Sequence, residues 1–385
     1  MKVTLLGLEF ASANMGCEAL AYSFANEVSK VAKELEIDVE FTSVLFDIKP
    51  RICVYDSGQE VKCLPIRYKK IGFWTKLNRV FRDSDLIVDF TGGDSFSDIY
   101  GKKRFYMATL IKRMAIFSGT PFVLGPQTYG PYRRKLVKQW AKTVIRKSTY
   151  VFARDEVSKK VAEELSGRQV KLAADVAFAL PYEQRERVQD DKIRIGLNPS
   201  GLLWDGGYEH AKLTLTVEHR RYCEGVLERL LNHSQYEIYL ISHVGTGKAS
   251  AVESDYEVCK ILHKKYPQTV LVDVFDTPMA AKTFIAGLDV LIAARMHATI
   301  AAFSTGVATI PFSYSRKFEG LYNSVAYEPM IHACTQTTEE AIVQTIEYVE
   351  DYKQLKEKGK EAMEKIQRLQ DSFEQELKNI VVECR

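Results

Sequence analysis

Short apolar runs alternate with amphipathic stretches along nearly the whole of this 385-residue chain. The first half carries strand-like runs at 2–6, 39–45, 86–90, 122–124, 150–153 and 170–172, with helical periodicity at 18–35, 104–117, 135–146 and 156–165. That alternation predicts doubly wound α/β architecture, in which helices cover both faces of a parallel sheet. Residues 182–192 (YEQRERVQDDK) have no apolar period and read as a linker. Beyond them the pattern restarts, with strands at 193–197, 238–241, 270–272, 290–293 and 309–312 and helices near 222–231, 256–263 and 279–286. The tail, 338–381, is helical in pattern, and its many Lys and Glu residues read as a solvated face. The expected organisation is therefore a Rossmann-like domain over 1–182, a second over 192–335, and a helical segment over 336–385 packing back on the body. Two such domains would leave a cleft between their strand ends.

Composition narrows the class only slightly. A hydrophobic content of 46% and a charged content of 27% are those of a soluble globular protein. A net charge of +3 gives no reason to expect a nucleic-acid partner. The seven cysteines are scattered and form no CxxC pair, which points to reduced thiols rather than a disulfide framework and to no bound metal. No apolar run approaches the roughly 18 residues needed to span a bilayer, and the N-terminus has no leader layout. The expectation is a cytoplasmic protein, with peripheral association at the inner face of the membrane left open and the oligomeric state unread.

The chemistry-bearing residues fall where strands end. Ligands of open α/β sheets bind beyond the carboxyl ends of the strands. After the first strand, Asn14 and Gly16 precede a helix, an arrangement that serves either as an N-cap turn or as a close approach to an anion. After the run 86–90 come Gly92, Gly93, Asp94, Ser95 and Asp98; the glycines permit a tight backbone turn, and the polar residues suit sugar hydroxyls or turn formation equally. Gln127 lies in the Gly/Pro-rich loop GPQTYGP, and Arg154 stands at a strand tip with Asp155 able to cap the next helix. In the second half His243, Arg295, His297, Tyr314 and Lys317 all follow predicted strands. These cations have no evident carboxylate cluster beside them in that half, so an anionic ligand is expected to balance them.

Taken in order, the N-x-G loop, GGDSFSD, GPQTYGP, FARD, ADVAF, NPSG, the histidine before GTGK, and RMHATIAAFSTGVATIPFSYSRKFEGL resemble the polysaccharide pyruvyl transferases over about residues 2–322. The resemblance implies a GT-B-like fold and transfer of the pyruvyl group of phosphoenolpyruvate onto a sugar of a polysaccharide or its lipid-linked precursor, with release of phosphate. It implies no cofactor beyond the phosphoenolpyruvate donor. It casts Arg154, Arg295 and His297 in donor binding or catalysis. Lys317 could help clamp the donor, and Asp94 or Asp98 could accept a hydroxyl proton or hold the sugar. The loop around Trp204 and Tyr208, with its aromatic faces, is a place for acceptor choice.

One departure stands out: many members carry an acidic residue directly after the N-x-G glycine, whereas here Cys17 occupies that place and Glu18 follows. Two other readings compete. A GT-B glycosyltransferase using a nucleotide-sugar would share the architecture but needs a carboxylate for the ribose, and none is evident near Arg295. A catalytically silent scaffold of an envelope glycan assembly complex has only Cys17 in its favour.

Overall fold

The computed structural model describes residues 1–10, 12, 14–46, 51–54, 60–184, 190–204, 215–245 and 253–385. The centre of the expected linker, most of the loop after Trp204 and the GTGK segment after Gly245 lie outside these. The described chain forms two compact units, each built on its own sheet.

Unit 1 comprises residues 1–11, 20–176 and 367–385. Its eight strands are β1 (Lys2–Leu6), β2 (Glu40–Phe46), β3 (Arg51–Val54), β4 (Glu60–Ile66), β5 (Leu86–Asp89), β6 (Phe122–Gln127), β7 (Tyr150–Ala153) and β8 (Lys171–Leu172). They lie in the order β3-β4-β2-β1-β5-β6-β7-β8, all parallel except β3 against β4. The central strand β5 is buried at all four positions, which is why its sequence LIVD shows no alternation. Helix α1 (Met15–Glu34) connects β1 to β2. Helices α2 (Ile71–Arg82), α3 (Lys102–Phe117), α4 (Lys135–Lys147) and α5 (Glu156–Ser166) contribute Phe73, Leu77, Phe105, Ile111, Val137 and Ala162 to one shared core. Asp155 caps α5 as expected, accepting from the Ser158 backbone N–H at 2.7 Å.

Unit 2 comprises residues 12–19 and 177–366. Its strands are β9 (Ile193–Asn198), β10 (Tyr236–Leu240), β11 (Val270–Leu271), β12 (Val290–Ala293), β13 (Ala308–Ser313) and β14 (Ile331–His332). They form a parallel sheet in the order β11-β10-β9-β12-β13-β14. Its helices are α6 (Gly201–Trp204), α7 (His219–Leu230), α8 (Asp255–Lys265), α9 (Pro278–Ala286), α10 (Met296–Ser304), α11 (Arg316–Ser324) and α12 (Thr338–Glu350), followed by the long α13 (Tyr352–Glu383). A full capping box at Thr337 and Glu340 starts α12.

The units are discontinuous in sequence where contiguous ones were expected. Residues 12–19 belong with unit 2 because Asn14 bridges Val244 and the Met15 N–H donates to the His243 carbonyl at 3.1 Å. The last residues of α13 belong with unit 1, where Phe373 packs edge-on to Phe152 and Lys171 pairs with Glu376. Among the described residues, no helix is long and apolar enough to cross a membrane.

Candidate functional site

In both sheets the chain winds outward from one strand in two directions, and a ligand crevice is expected where the direction reverses. That place falls between β1 and β5 in unit 1 and between β9 and β12 in unit 2. Each unit has its predicted residues there.

In unit 2, Asn198 ends β9 and Arg295 follows β12. The Asn198 side chain accepts from the Arg295 backbone N–H at 3.2 Å and donates to the Ile241 carbonyl at 2.8 Å, locking three strand ends together. The Arg295 guanidinium is not the uncompensated cation expected from the sequence. Its Nε and Nη2 donate to the buried Asp255 carboxylate, Nη2 at 2.7 Å, and Nη2 also donates to the Glu253 carbonyl at 3.0 Å. Burial alone would disfavour this cation, but the Asp255 charge and hydrogen bonds outweigh it and raise its pKa. Nη1 makes no hydrogen bond among the described residues, so one edge of the fork remains for a ligand. Asp255 also accepts from the backbone N–H groups of Val244 at 3.0 Å and Gly201 at 2.9 Å. It thus holds the ends of two loops as well as the arginine.

His297 lies in the first turn of α10, half-buried, two residues after Arg295. The N-x-G loop packs against it: a Cβ on Gly16 would stand 2.3 Å from His297 Nδ1. Asn14 Oδ1 accepts from the Gly16 N–H at 2.9 Å, which fixes that loop. His243 is buried beside them, and neither of its ring nitrogens has a hydrogen-bond partner among the described residues. Burial, reinforced by the charges of His297 and Arg295, pulls its pKa down to about 3. Tyr314, buried after β13, lies near enough to Arg295 to affect its ionisation, and Lys317 stacks over the Tyr314 ring at 5.8 Å. Asn14, Gly16, His243, Arg295, His297, Tyr314 and Lys317 are therefore gathered at the carboxyl ends of the unit 2 strands. Cys17 is half-buried and Glu18 is buried in the first turn of α1.

The unit 1 residues divide differently. Thr91, Gly92 and Gly93 all have positive φ, at 46°, 63° and 84°. This left-handed turn lets the Gly92 N–H donate to the Gly7 carbonyl at 2.8 Å. Gly93 has a further constraint, since a Cβ there would stand 2.9 Å from Leu20 and 3.2 Å from Arg154 Nη1. Arg154 is buried and paired with Asp175 at 2.9 Å, a second correction to the expectation of free cations. Its Nε and Nη2 remain without partners among the described residues. Glu27 sits close enough to Asp175 and Glu374 for their charges, after burial, to help raise its pKa to about 8. Asp98 is committed to the fold: it accepts from the Arg133 N–H at 2.9 Å and from Arg134 at 2.8 Å. Gln127 is fully buried and donates to the Asp89 carbonyl at 2.9 Å. Asp94 accepts from the Tyr100 hydroxyl at 2.9 Å, and Ser95 from Arg104 at 3.1 Å.

Two site residues escaped the sequence. Asp255 has its partner forty positions away, and only its place in the first turn of a helix marks it. His219 accepts from the Ser200 N–H at 3.1 Å. Burial and the Arg295 charge lower its pKa to about 3. Among the described residues no group of three His, Cys, Asp or Glu side chains could hold a metal ion.

The buried histidines carry a pH prediction. The folded pKa of His243 lies below the unfolded value near 6.5, so the unfolded chain binds the extra proton between those values. Its contribution is therefore present above pH about 6.5 and is lost as pH falls. Relative to His243→Gln, the wild type should lose about 1.4 kcal/mol of unfolding free energy per pH unit below that point. Urea titrations of both proteins at pH 7 and pH 5 would show a constant difference if His243 were charged in the fold.

A family model described as polysaccharide pyruvyl transferase matches residues 14–316. No curated protein sequence matches the chain. Solved structures resemble it in fold over nearly full length. A sucrose-phosphate synthase from Thermosynechococcus elongatus superposes with a TM-score of 0.59 at 10% identity, covering 100% of this chain and 98% of that one. An Anabaena protein in complex with UDP and glucose gives 0.57 at 11% identity, covering 98% and 100%. A UDP-GlcNAc 2-epimerase from Neisseria meningitidis bound to UDP-GlcNAc gives 0.54 at 14%, covering 96% and 99%. The fold is thus GT-B-like, with two Rossmann-like units and a long C-terminal helix. The matched span begins at Asn14 and includes Arg154, Arg295 and His297, and the chain belongs to the polysaccharide pyruvyl transferase family.

Proposed function

We propose that this protein transfers the pyruvyl group of phosphoenolpyruvate to two hydroxyls of a sugar, forming a cyclic ketal and releasing phosphate. The observation that carries the reading is the unit 2 cluster: Arg295 held by Asp255 with one edge uncommitted, and His297 packed on Gly16 beside a neutral His243. A guanidinium fork suits the donor's carboxylate or phosphate. Lys317 adds a second cation, and the His243 ring, neutral at pH 7, can donate a hydrogen bond without adding charge.

In the first step His297 protonates the methylene carbon of phosphoenolpyruvate, and the neighbouring carbon becomes an oxocarbenium-like centre. A sugar hydroxyl adds to that centre and loses its proton to a base. A second hydroxyl of the same sugar then attacks that carbon, its new C–O bond replacing the bond to phosphate and its proton passing to the departing phosphate, with Arg295 stabilising the departing charge. Arg154 is assigned to the same reaction by its motif, and its pair with Asp175 fixes its orientation. The acceptor is taken to be a saccharide of an envelope polysaccharide, free or lipid-linked. The test is incubation with phosphoenolpyruvate and a panel of galactose-, mannose- and N-acetylhexosamine-type acceptors. Phosphate release coupled to a mass gain of one pyruvylidene group is expected; turnover of a nucleotide-sugar on the same panel, with phosphoenolpyruvate untouched, would overturn the reading.

A further inference from the structure

We propose that the outer face of α2, α3 and α4 docks on an anionic lipid surface. The sequence segments 67–82 and 102–147, which contain these helices, hold eighteen Lys and Arg and forty-four neutral residues but no Asp or Glu. Exposed Lys and Arg number six between Arg67 and Arg82, three at 102–104 and seven between Arg133 and Lys147. The whole chain has a net charge of only +3, so this face concentrates cations that acidic residues elsewhere balance.

The face is also apolar where a solvated one would not be. α3 turns Phe105, Ile111 and Ala115 into the core, yet its other side carries Leu110 and Phe117, with Phe117 63% exposed. Ile71 opens α2 at 88% exposure and Leu136 lies in the first turn of α4 at 61%. Cation–π contacts join the elements into one surface: Lys103 of α3 over Tyr68 at 5.7 Å, Arg113 of α3 over Trp140 of α4 at 4.7 Å, and Lys147 of α4 over Phe117 of α3 at 5.2 Å. Lys and Arg rimming protruding aliphatic and aromatic side chains is the chemistry of interfacial membrane binding. A single-stranded nucleic acid would call for a row of stacking platforms, whereas of the exposed apolar side chains Ile71, Leu110, Phe117 and Leu136 only Phe117 is aromatic, and Lys147 stands over its ring. This surface lies on unit 1, shares no residue with the unit 2 cluster, and does not depend on the reaction assigned above.

The test is co-sedimentation of the full chain with phosphatidylcholine vesicles, with and without about 30% phosphatidylglycerol. Binding is expected only to the anionic vesicles, and it should weaken as salt shortens the Debye length from about 10 Å to about 3 Å. Because each cation near such a surface contributes roughly a five-fold gain in partitioning, Lys138→Glu/Lys142→Glu/Lys147→Glu should lose more than about ten-fold in binding. Leu110→Ser/Phe117→Ser keeps the charge and should also lose binding. Circular dichroism and phosphate release with a soluble acceptor should be unchanged in both. Wild-type retention by either variant, equal binding to neutral vesicles, or binding of a single-stranded RNA without binding to anionic vesicles would overturn the proposal.

Discussion

Asp255→Ala is expected to be the most destabilising single substitution at the unit 2 site. The carboxylate is fully buried and accepts from Arg295 and from the backbone N–H groups of Gly201, His243 and Val244, so its loss strands a largely buried guanidinium and three backbone N–H groups. Breaking a buried pair by removing one partner costs about 3–5 kcal/mol, a large part of the 5–15 kcal/mol typical of a folded domain. Asp255→Asn keeps the volume and one carbonyl acceptor, so it should cost less while still loosening Arg295. The chain's three tryptophans allow unit 2 to be followed alone. Trp204 ends α6, whose first residue Gly201 bonds Asp255, whereas Trp74 and Trp140 lie in unit 1. In a Trp74→Phe/Trp140→Phe background, urea unfolding read by Trp204 fluorescence should shift to a markedly lower midpoint for Asp255→Ala. An unchanged midpoint would remove Asp255 from its place as the anchor of the site.

That anchor also shows where sequence reasoning stops. Strands β1, β5, β7 and β12 were legible because buried parallel strands read as short apolar runs with sharp polar ends. The same contrast marked Arg295 and His297, since a cation directly after VLIAA cannot belong to the strand's buried stretch. Strand β4 and helix α2 were not picked out: EVKCLPI breaks its alternation at a proline, and α2 begins without a side-chain cap. What the one-dimensional pattern cannot hold is pairing between distant residues. Arg154 and Arg295 read as free cations because Asp175 and Asp255 lie twenty-one and forty positions from them. Asp98 read as a sugar ligand for the same reason, its partners Arg133 and Arg134 being contributed from beyond β6. The corrected picture is of arginines whose orientation is fixed before any ligand arrives, so little reorganisation remains for the ligand to drive.

His297→Ala is expected to lower turnover by about 10²–10⁴-fold while leaving the fold intact. In the proposed reaction His297 carries the proton to the donor carbon, and its half-buried ring leaves no large cavity when removed. The loss should fall on kcat, because a proton delivered in the transition state contributes little to binding the ground state. Arg295→Lys should behave differently, raising KM as well, since a point charge cannot reproduce the fork. Gly16→Ala separates position from chemistry. Its new Cβ would stand 2.3 Å from His297 Nδ1, so the ring or the loop must move, and a displacement near 1 Å at a reacting group can cost about 10²-fold. Steady-state phosphate release for the three variants, with circular dichroism as the control for folding, gives the pattern. If His297→Ala turned over at near wild-type rate, the histidine would have no part in the chemistry. If Gly16→Ala were also neutral, the close approach of the N-x-G loop would be packing alone. A loss of kcat in both, with KM changed only for Arg295→Lys, would leave His297 as the acid and Arg295 as the donor clamp.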